Sequence, residues 1–256
     1  MEISEAIQKT IDYAGKFGMK LSREQLWSRL MGERVFSEKE FEKEIGGGSL
    51  STKKKIEGEA RKKKLVAKRL GKMVAENDNN ILMVAVTGSV AAENCKKGDD
   101  IDILIVTREN RLWWSRLKLL FFLINKKYKF RRYGKREIRN ELCFNMWLEE
   151  KSLKLPSEKR DERSAVDLIL LKVVVDKDNI YHKLLRENDW AKNWVATGYS
   201  LKSKSQKSKS RKIGKNKKNI AGDLINLLAF VGQYLHMWPK KTKENVGLKA
   251  AFFHLS

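Results

Sequence analysis

Cysteine, histidine and long apolar runs are scarce in this 256-residue chain, and each scarcity excludes something. Two cysteines, Cys95 and Cys143, give no disulfide framework and no metal-ligand spacing, so a reducing compartment is expected. The three histidines, His182, His236 and His254, are scattered without ligand spacing and take no role. The most apolar run, Leu112 to Ile124, contains Arg116 and Lys118 and is shorter than the roughly 18 to 20 residues that span a bilayer. Met1 to Lys20 carries Glu2, Glu5 and Asp12 and lacks the basic start and apolar block of a secretory signal. A cytoplasmic protein without a membrane partner is therefore expected, and there is no internal repeat.

Acid is also in short supply: 32 Asp and Glu face 55 Lys and Arg, for a formal net charge of +23. Such a balance predicts attraction to polyanions, nucleic acid or nucleotides among them. The excess is clustered, with nine basic residues and no acid from 200 to 219, and ten basic residues against Glu57 and Glu59 from 53 to 72. The 200–219 run reads as a solvated Lys/Ser linker. A hydrophobic share of 41% leaves enough for a real core.

The first 50 residues predict three short helices. Ile7, Ile11, Tyr13 and Ala14 mark the apolar side of the first, over 3–17, and the others open at Ser22 and Ser37. Each serine is followed three residues on by Gln25 or Glu40, the spacing with which two side chains satisfy free amides at a helix start. Gly46-Gly47-Gly48-Ser49 and a short strand or wing over 50–55 would complete a winged helix-turn-helix. Its third helix, with Glu38, Glu40, Glu42 and Glu44, is acidic enough that structural use is favoured over insertion into a groove.

A basic helix is predicted over 56–76, with Ile56, Ala60, Ala67, Leu70 and Val74 on its buried side. Ile81 to Val86, Asp100 to Val106 and Leu142 to Leu148 read as covered strands. A short helix near Val90 and another over Leu112 to Ile124 lie between them, with a basic hairpin around Tyr133-Gly134. Helices follow from Glu162 to Asp176, from Asn179 to Trp194 and from Ile220 to Met237, the last stopped by Pro239. The chain thus divides into a winged-helix-like 1–52, an α/β segment 53–199 with its core at 81–148, the linker 200–219 and a C-terminal helix in 220–256. The fold class is α/β (α+β): a small mixed sheet flanked by helices.

Chemistry concentrates between Thr87 and Ile105. On a strand, Asp100 and Asp102 share one face with Cα atoms about 6.6 to 6.8 Å apart, so both carboxylates can converge on a cation. Two like charges on a covered strand need compensation, which a hard divalent cation such as Mg²⁺ provides. Gly88 permits close backbone approach, and Ser89 opens a helix whose free amides suit a phosphate. An anion site beside a metal pair meets the requirements of phosphoryl transfer.

Strand, Gly-Ser, short helix, loop, and strand with Asp-x-Asp resembles the DNA polymerase beta-like nucleotidyltransferase superfamily over about 70 residues. The general plan, with Tyr181, Leu185, Asn188 and Trp190 in a helical tail, is similar to bacterial and archaeal nucleotidyltransferase-domain proteins. The resemblance implies that Gly88 and Ser89 contact nucleotide phosphates and that Asp100 and Asp102 bind two Mg²⁺ ions, Mn²⁺ being the substitute. It implies an NTP as partner, a hydroxyl acceptor that RNA, a small molecule or a protein could supply, and RNA ahead of DNA as nucleic acid.

The superfamily's third carboxylate is missing from the strand that should carry it. Asn145 occupies the expected position, and an amide cannot take a proton at neutral pH. Glu141 and Glu149 share its strand parity and are the alternatives. The basic stretch Lys126 to Arg139, interleaved with Tyr128, Phe130 and Tyr133, reads equally as a triphosphate or RNA contact and as a solvated hairpin. The tryptophans, including Trp113, Trp114 and Trp190, read as packing residues. The rival to an active transferase is a nucleotidyltransferase fold that has lost catalysis and binds nucleic acid or regulates.

Overall fold

A computed structural model describes residues 1–46, 58–131, 141–205, 220–241 and 244–253. Its helices are α1 (Ile3–Gly15), α2 (Arg23–Ser28), α3 (Glu38–Ile45), α4 (Gly58–Asn77), α5 (Gly88–Ala91), α6 (Leu112–Asn125), α7 (Glu162–Leu170), α8 (Ile180–Glu187), α9 (Lys192–Ser205) and α10 (Ile220–Met237). Its strands are β1 (Ile81–Val86), β2 (Ile101–Thr107), β3 (Leu142–Glu149), β4 (Lys172–Asp176), β5 (Asn245–Val246) and β6 (Ala250–Phe252). The expected wing over 50–55, the tip of the basic hairpin, most of the Lys/Ser linker and His254 lie outside the described residues. Two compact units result, one from Met1–Glu57, Lys154–Leu170 and His182–Ser208, the other from Gly58–Leu153, Leu171–Tyr181 and Lys209–Ser256.

The first unit is helical. Both serine starts form as expected: the Gln25 and Glu40 amides each donate to the serine hydroxyl three residues back at 3.2 Å, and each serine amide donates in return to the Gln25 or Glu40 side chain. On α1 the buried residues are Ala6, Thr10 and Ala14, whereas Ile11 is exposed, which corrects the expected apolar side. Thr10 can be buried because its hydroxyl donates to the Ala6 carbonyl and accepts the Met31 amide. Asn188, fully buried, accepts from the Leu155 amide and the Trp190 indole and donates to the Leu184 carbonyl. It is a structural amide that ties Lys154–Leu170 to His182–Ser208 within the unit.

The second unit holds a six-stranded mixed sheet in the order β4-β1-β2-β3-β6-β5. Only β2 and β3 run parallel; every other pair is antiparallel. β1 lies between two strands and all six of its residues are buried, as its unbroken apolar run requires. One sheet face, with Val84, Val86, Ile101, Ile103 and Ile105, packs against Ala67, Leu70 and Val74 of α4 and Trp113, Leu119 and Leu123 of α6. Gly71 lets α4 approach closely, since a Cβ there would sit 2.7 Å from Val174 and 3.2 Å from Val84.

Two expectations fail in this unit. The segment expected to be helical to Asp176 ends its helix at Leu170 and becomes β4. Val173-Val174-Val175 is a β-branched run, costly in a helix and matched to the pleat, and it completes the free side of β1. The strands β5 and β6, absent from the sequence reading, extend the sheet beyond β3.

Candidate active site

The site is assembled where β1 hands the chain to α5 beside the start of β2. Thr87 donates its amide to the Asp102 carbonyl at 3.0 Å, pinning the turn to the neighbouring strand. Gly88 has φ +63, and a Cβ there would lie 2.6 Å from Oδ2 of Asp102. Left-handed backbone and contact with the carboxylate both demand glycine. Beyond it, the first amides of α5 have no intrahelical acceptor. α5 is only four residues long, so the expected helix-dipole contribution at Ser89 shrinks to that of one turn of peptide groups.

Asp102 is the one residue of β2 that is not fully buried, while six neighbours in the strand are. Asp100 stands just before the strand, and its Oδ1 accepts the Glu141 amide at 2.9 Å. Pairing of Ile101 with Leu142 and of Asp102 with Cys143 sets Asp100, Asp102 and Cys143 on one side of the sheet. The register then shifts by one residue, a bulge in β3 at Phe144 and Asn145. Asn145 Nδ2 donates to Asp102 Oδ1 at 3.2 Å, while its own Oδ1 is buried without a hydrogen-bond partner.

The bulge also removes Glu149 from consideration as the third carboxylate. Glu149 pairs with Thr107, five residues along β2 from Asp102 and so on the opposite side of the sheet, about 16 Å away. The equal parity expected of it is lost because the extra residue inverts side-chain direction beyond Asn145. Glu141 is adjacent, but it meets Asp100 through its main-chain amide. Cys143, buried between these groups, has its thiol pushed well up by burial and then by the Asp102 charge, so it stays protonated and inert.

Basic side chains missed in the sequence hold the surrounding loops. Lys63 of α4 is buried, and its ammonium donates to the carbonyls of Lys96 at 2.8 Å, Lys97 at 3.2 Å and Asp99 at 2.5 Å. It thereby fixes the loop that delivers Asp100. Its spacing from Ala60 and Ala67 was the available signal, since i, i+3 and i+7 share one helix side. Glu93, at the end of the turn after α5, bridges Lys64 and Lys172. Arg131 is brought beside β3, its amide donating to the Leu142 carbonyl at 2.9 Å, and its charge reaches Cys143. Tyr128 and Phe130 pack inward, Tyr128 against Phe122, so neither offers the base-stacking surface considered for them.

Residues 67–181 match the family model described as nucleotidyltransferase domain. This segment is similar to nucleotidyltransferase domains. It runs from within α4 to the start of α8 and encloses Gly88, Ser89, Asp100, Asp102 and Asn145. No curated protein and no solved structure matches the chain. Among the described residues, no three His, Cys, Asp or Glu side chains form a metal-binding group. What this segment offers a cation is two half-buried carboxylates and the unpartnered amide oxygen of Asn145. That all-oxygen set suits a hard divalent ion and leaves coordination positions for phosphate.

Proposed function

We propose that this protein transfers a nucleoside monophosphate from an NTP to a hydroxyl acceptor, releasing pyrophosphate, with Asp100 and Asp102 as the Mg²⁺ ligands. The observation that carries this is the closeness of Gly88 to Asp102, whose Oδ2 lies 2.6 Å from where a Cβ on Gly88 would stand, so that a candidate phosphate-binding turn sits beside a candidate metal ligand. Bound divalent metal would supply charge neutralisation at the phosphates and activation of the attacking oxygen. The chain's own residues do the rest. Gly88, Ser89 and the free amides of the turn orient the triphosphate; Asn145 holds Asp102 at a fixed rotamer; Lys63 keeps the Asp100 loop in place. The acceptor hydroxyl belongs to RNA, a small molecule or a protein, RNA standing ahead of DNA as nucleic-acid partner, and 1–52 is proposed as a winged-helix module serving structure more than groove binding.

Asp102→Ala is expected to abolish Mg²⁺-dependent transfer of label from NTP to total RNA, or to the protein itself, at an unchanged circular dichroism spectrum. Undiminished transfer would remove Asp102 from the site. A second reading is favoured by Asn145, which stands where a proton acceptor is needed and is engaged with Asp102. On that reading the domain binds nucleic acid without catalysis, and wild-type protein would show steeply salt-dependent RNA binding with no transfer from any NTP in Mg²⁺ or Mn²⁺.

A further inference from the structure

Among the described residues, α10 is packed on one side and exposed on the other. Its inner side docks on α6 through buried Asn226, whose Oδ1 accepts the amides of Trp113 at 2.9 Å and Trp114 at 3.1 Å, and through Gln233, which donates to the Trp113 carbonyl at 3.0 Å. Its outer side shows Leu224, Leu228, Val231, Leu235 and, in the turn that follows, Trp238, which are 56, 63, 45, 57 and 64% exposed. The spacing is 4, 3, 4, 3, the repeat of a coiled-coil seam. A helix apolar on both sides is ordinarily buried on both.

We infer that this seam pairs with the same seam of a second copy of the chain, antiparallel, about a two-fold axis passing near Val231. The exposed apolar side chains of α10 and its turn, Ile220 included, amount to roughly 900 Å², about one partner's share of a standard interface. That exceeds the few hundred Å² usual for the largest apolar patch on a monomer. The seam is self-complementary, because an axis near Val231 sets Leu224 of one copy against Trp238 of the other and brings Leu228 within about one residue of level with Leu235.

Along the helix itself charge does not oppose this occupant: in a chain of +23, α10 contains no Lys or Arg, and its one acid, Asp223, is tied to Arg111 at 2.6 Å, while Lys217, Lys218, Lys240 and Lys241 stand just beyond the ends of the seam in sequence. A helix lying on a lipid surface carries Lys and Arg on its polar side, whereas here that side is engaged with α6 through amides.

The test is sedimentation equilibrium of the full chain from 1 to 100 µM, with Leu228→Glu and Val231→Cys. The wild type is expected to be a dimer, and Leu228→Glu to raise its dissociation constant at least tenfold with an unchanged melting temperature. Val231→Cys is expected to cross-link between copies under mild oxidation, a readout that stands if Leu228→Glu does not fold; Cys95 and Cys143 are buried and do not compete. A monomer throughout the range overturns the inference, as does a dimer that is indifferent to Leu228→Glu and forms no cross-link in the Val231→Cys variant. A monomer that co-sediments with phosphatidylserine vesicles overturns it in favour of a lipid partner.

Discussion

At the scale of single residues, the site depends on one glycine and one buried lysine. Gly88→Ala would force an L-residue into left-handed backbone, costing about 1–2 kcal/mol, and would push the Asp102 carboxylate off its present position. Transfer activity is expected to fall by about 100-fold or more, as misplacement of a catalytic group by an ångström does, while the melting temperature drops only slightly. Lys63→Met would take the ammonium donor from three loop carbonyls, of which that of Lys96 keeps the Asp99 amide. A loss of about 1–3 kcal/mol in urea denaturation is expected, together with weaker activity, because Asp100 is carried by that loop. Asp100, Asp102 and Asn145 could be singled out as candidates in the sequence because strand alternation is a two-residue rule. Lys63 was not, although its spacing from Ala60 and Ala67 sets it on the buried side of α4, because a lysine in a run of lysines reads as solvated, and the flip of Glu149 required a bulge that no residue type announced.

Glu149 yields a pH prediction of its own. Burial pushes its carboxyl up to about 7, outweighing the nearby amides of Asn110 and Leu112 and the charge of Lys249. With the native value above the ordinary 4.5, the folded state binds the extra proton, so stability is full below about pH 4.5 and is lost as pH rises through about 7. The difference is about 3 kcal/mol for this group. Asp167 shifts the same way, up to about 6, so the informative comparison is Glu149→Gln with wild type. The variant should be the more stable above pH 7.5 in denaturant titrations and show a flatter pH profile between 5 and 8.

At the scale of elements, helix starts were the most readable feature and strands at the sheet's outer positions the least. Ser22 and Ser37 declare themselves through side chains three residues away, and both starts form. Ser37→Ala is expected to cost about 1 kcal/mol, measured by thermal denaturation. β4 hid behind a helical pattern because its Val run is short and follows a true helix, and β6 is only three residues long. Pairing with β1 and β3, not local propensity, makes these segments strands. Gly71 tests the packing of α4 on that sheet. Inside an ordinary helix Gly→Ala stabilises by about 1 kcal/mol, yet here the added methyl meets Val174 at 2.7 Å, so Gly71→Ala should destabilise, by about 1–3 kcal/mol.

For the whole molecule, composition spoke most plainly about charge and least about architecture. Among the described residues no helix is long and apolar enough to cross a membrane, as the interrupted apolar runs implied. The interleaving of two units along the chain was invisible in composition, because Lys154–Leu170 and His182–Ser208 join the N-terminal helices through contacts distant in sequence. The positive charge gives the molecule long reach toward polyanions without naming one. On the proposed function, what it does with a nucleotide is decided at Asp100 and Asp102. The most direct measurement supplies the purified protein with NTP labelled at either the α or the γ phosphate, in Mg²⁺ with RNA present. Label retained on an acceptor from the α position and released as pyrophosphate from the γ position is the predicted result. Retention from the γ position, or from neither, would contradict nucleotidyl transfer.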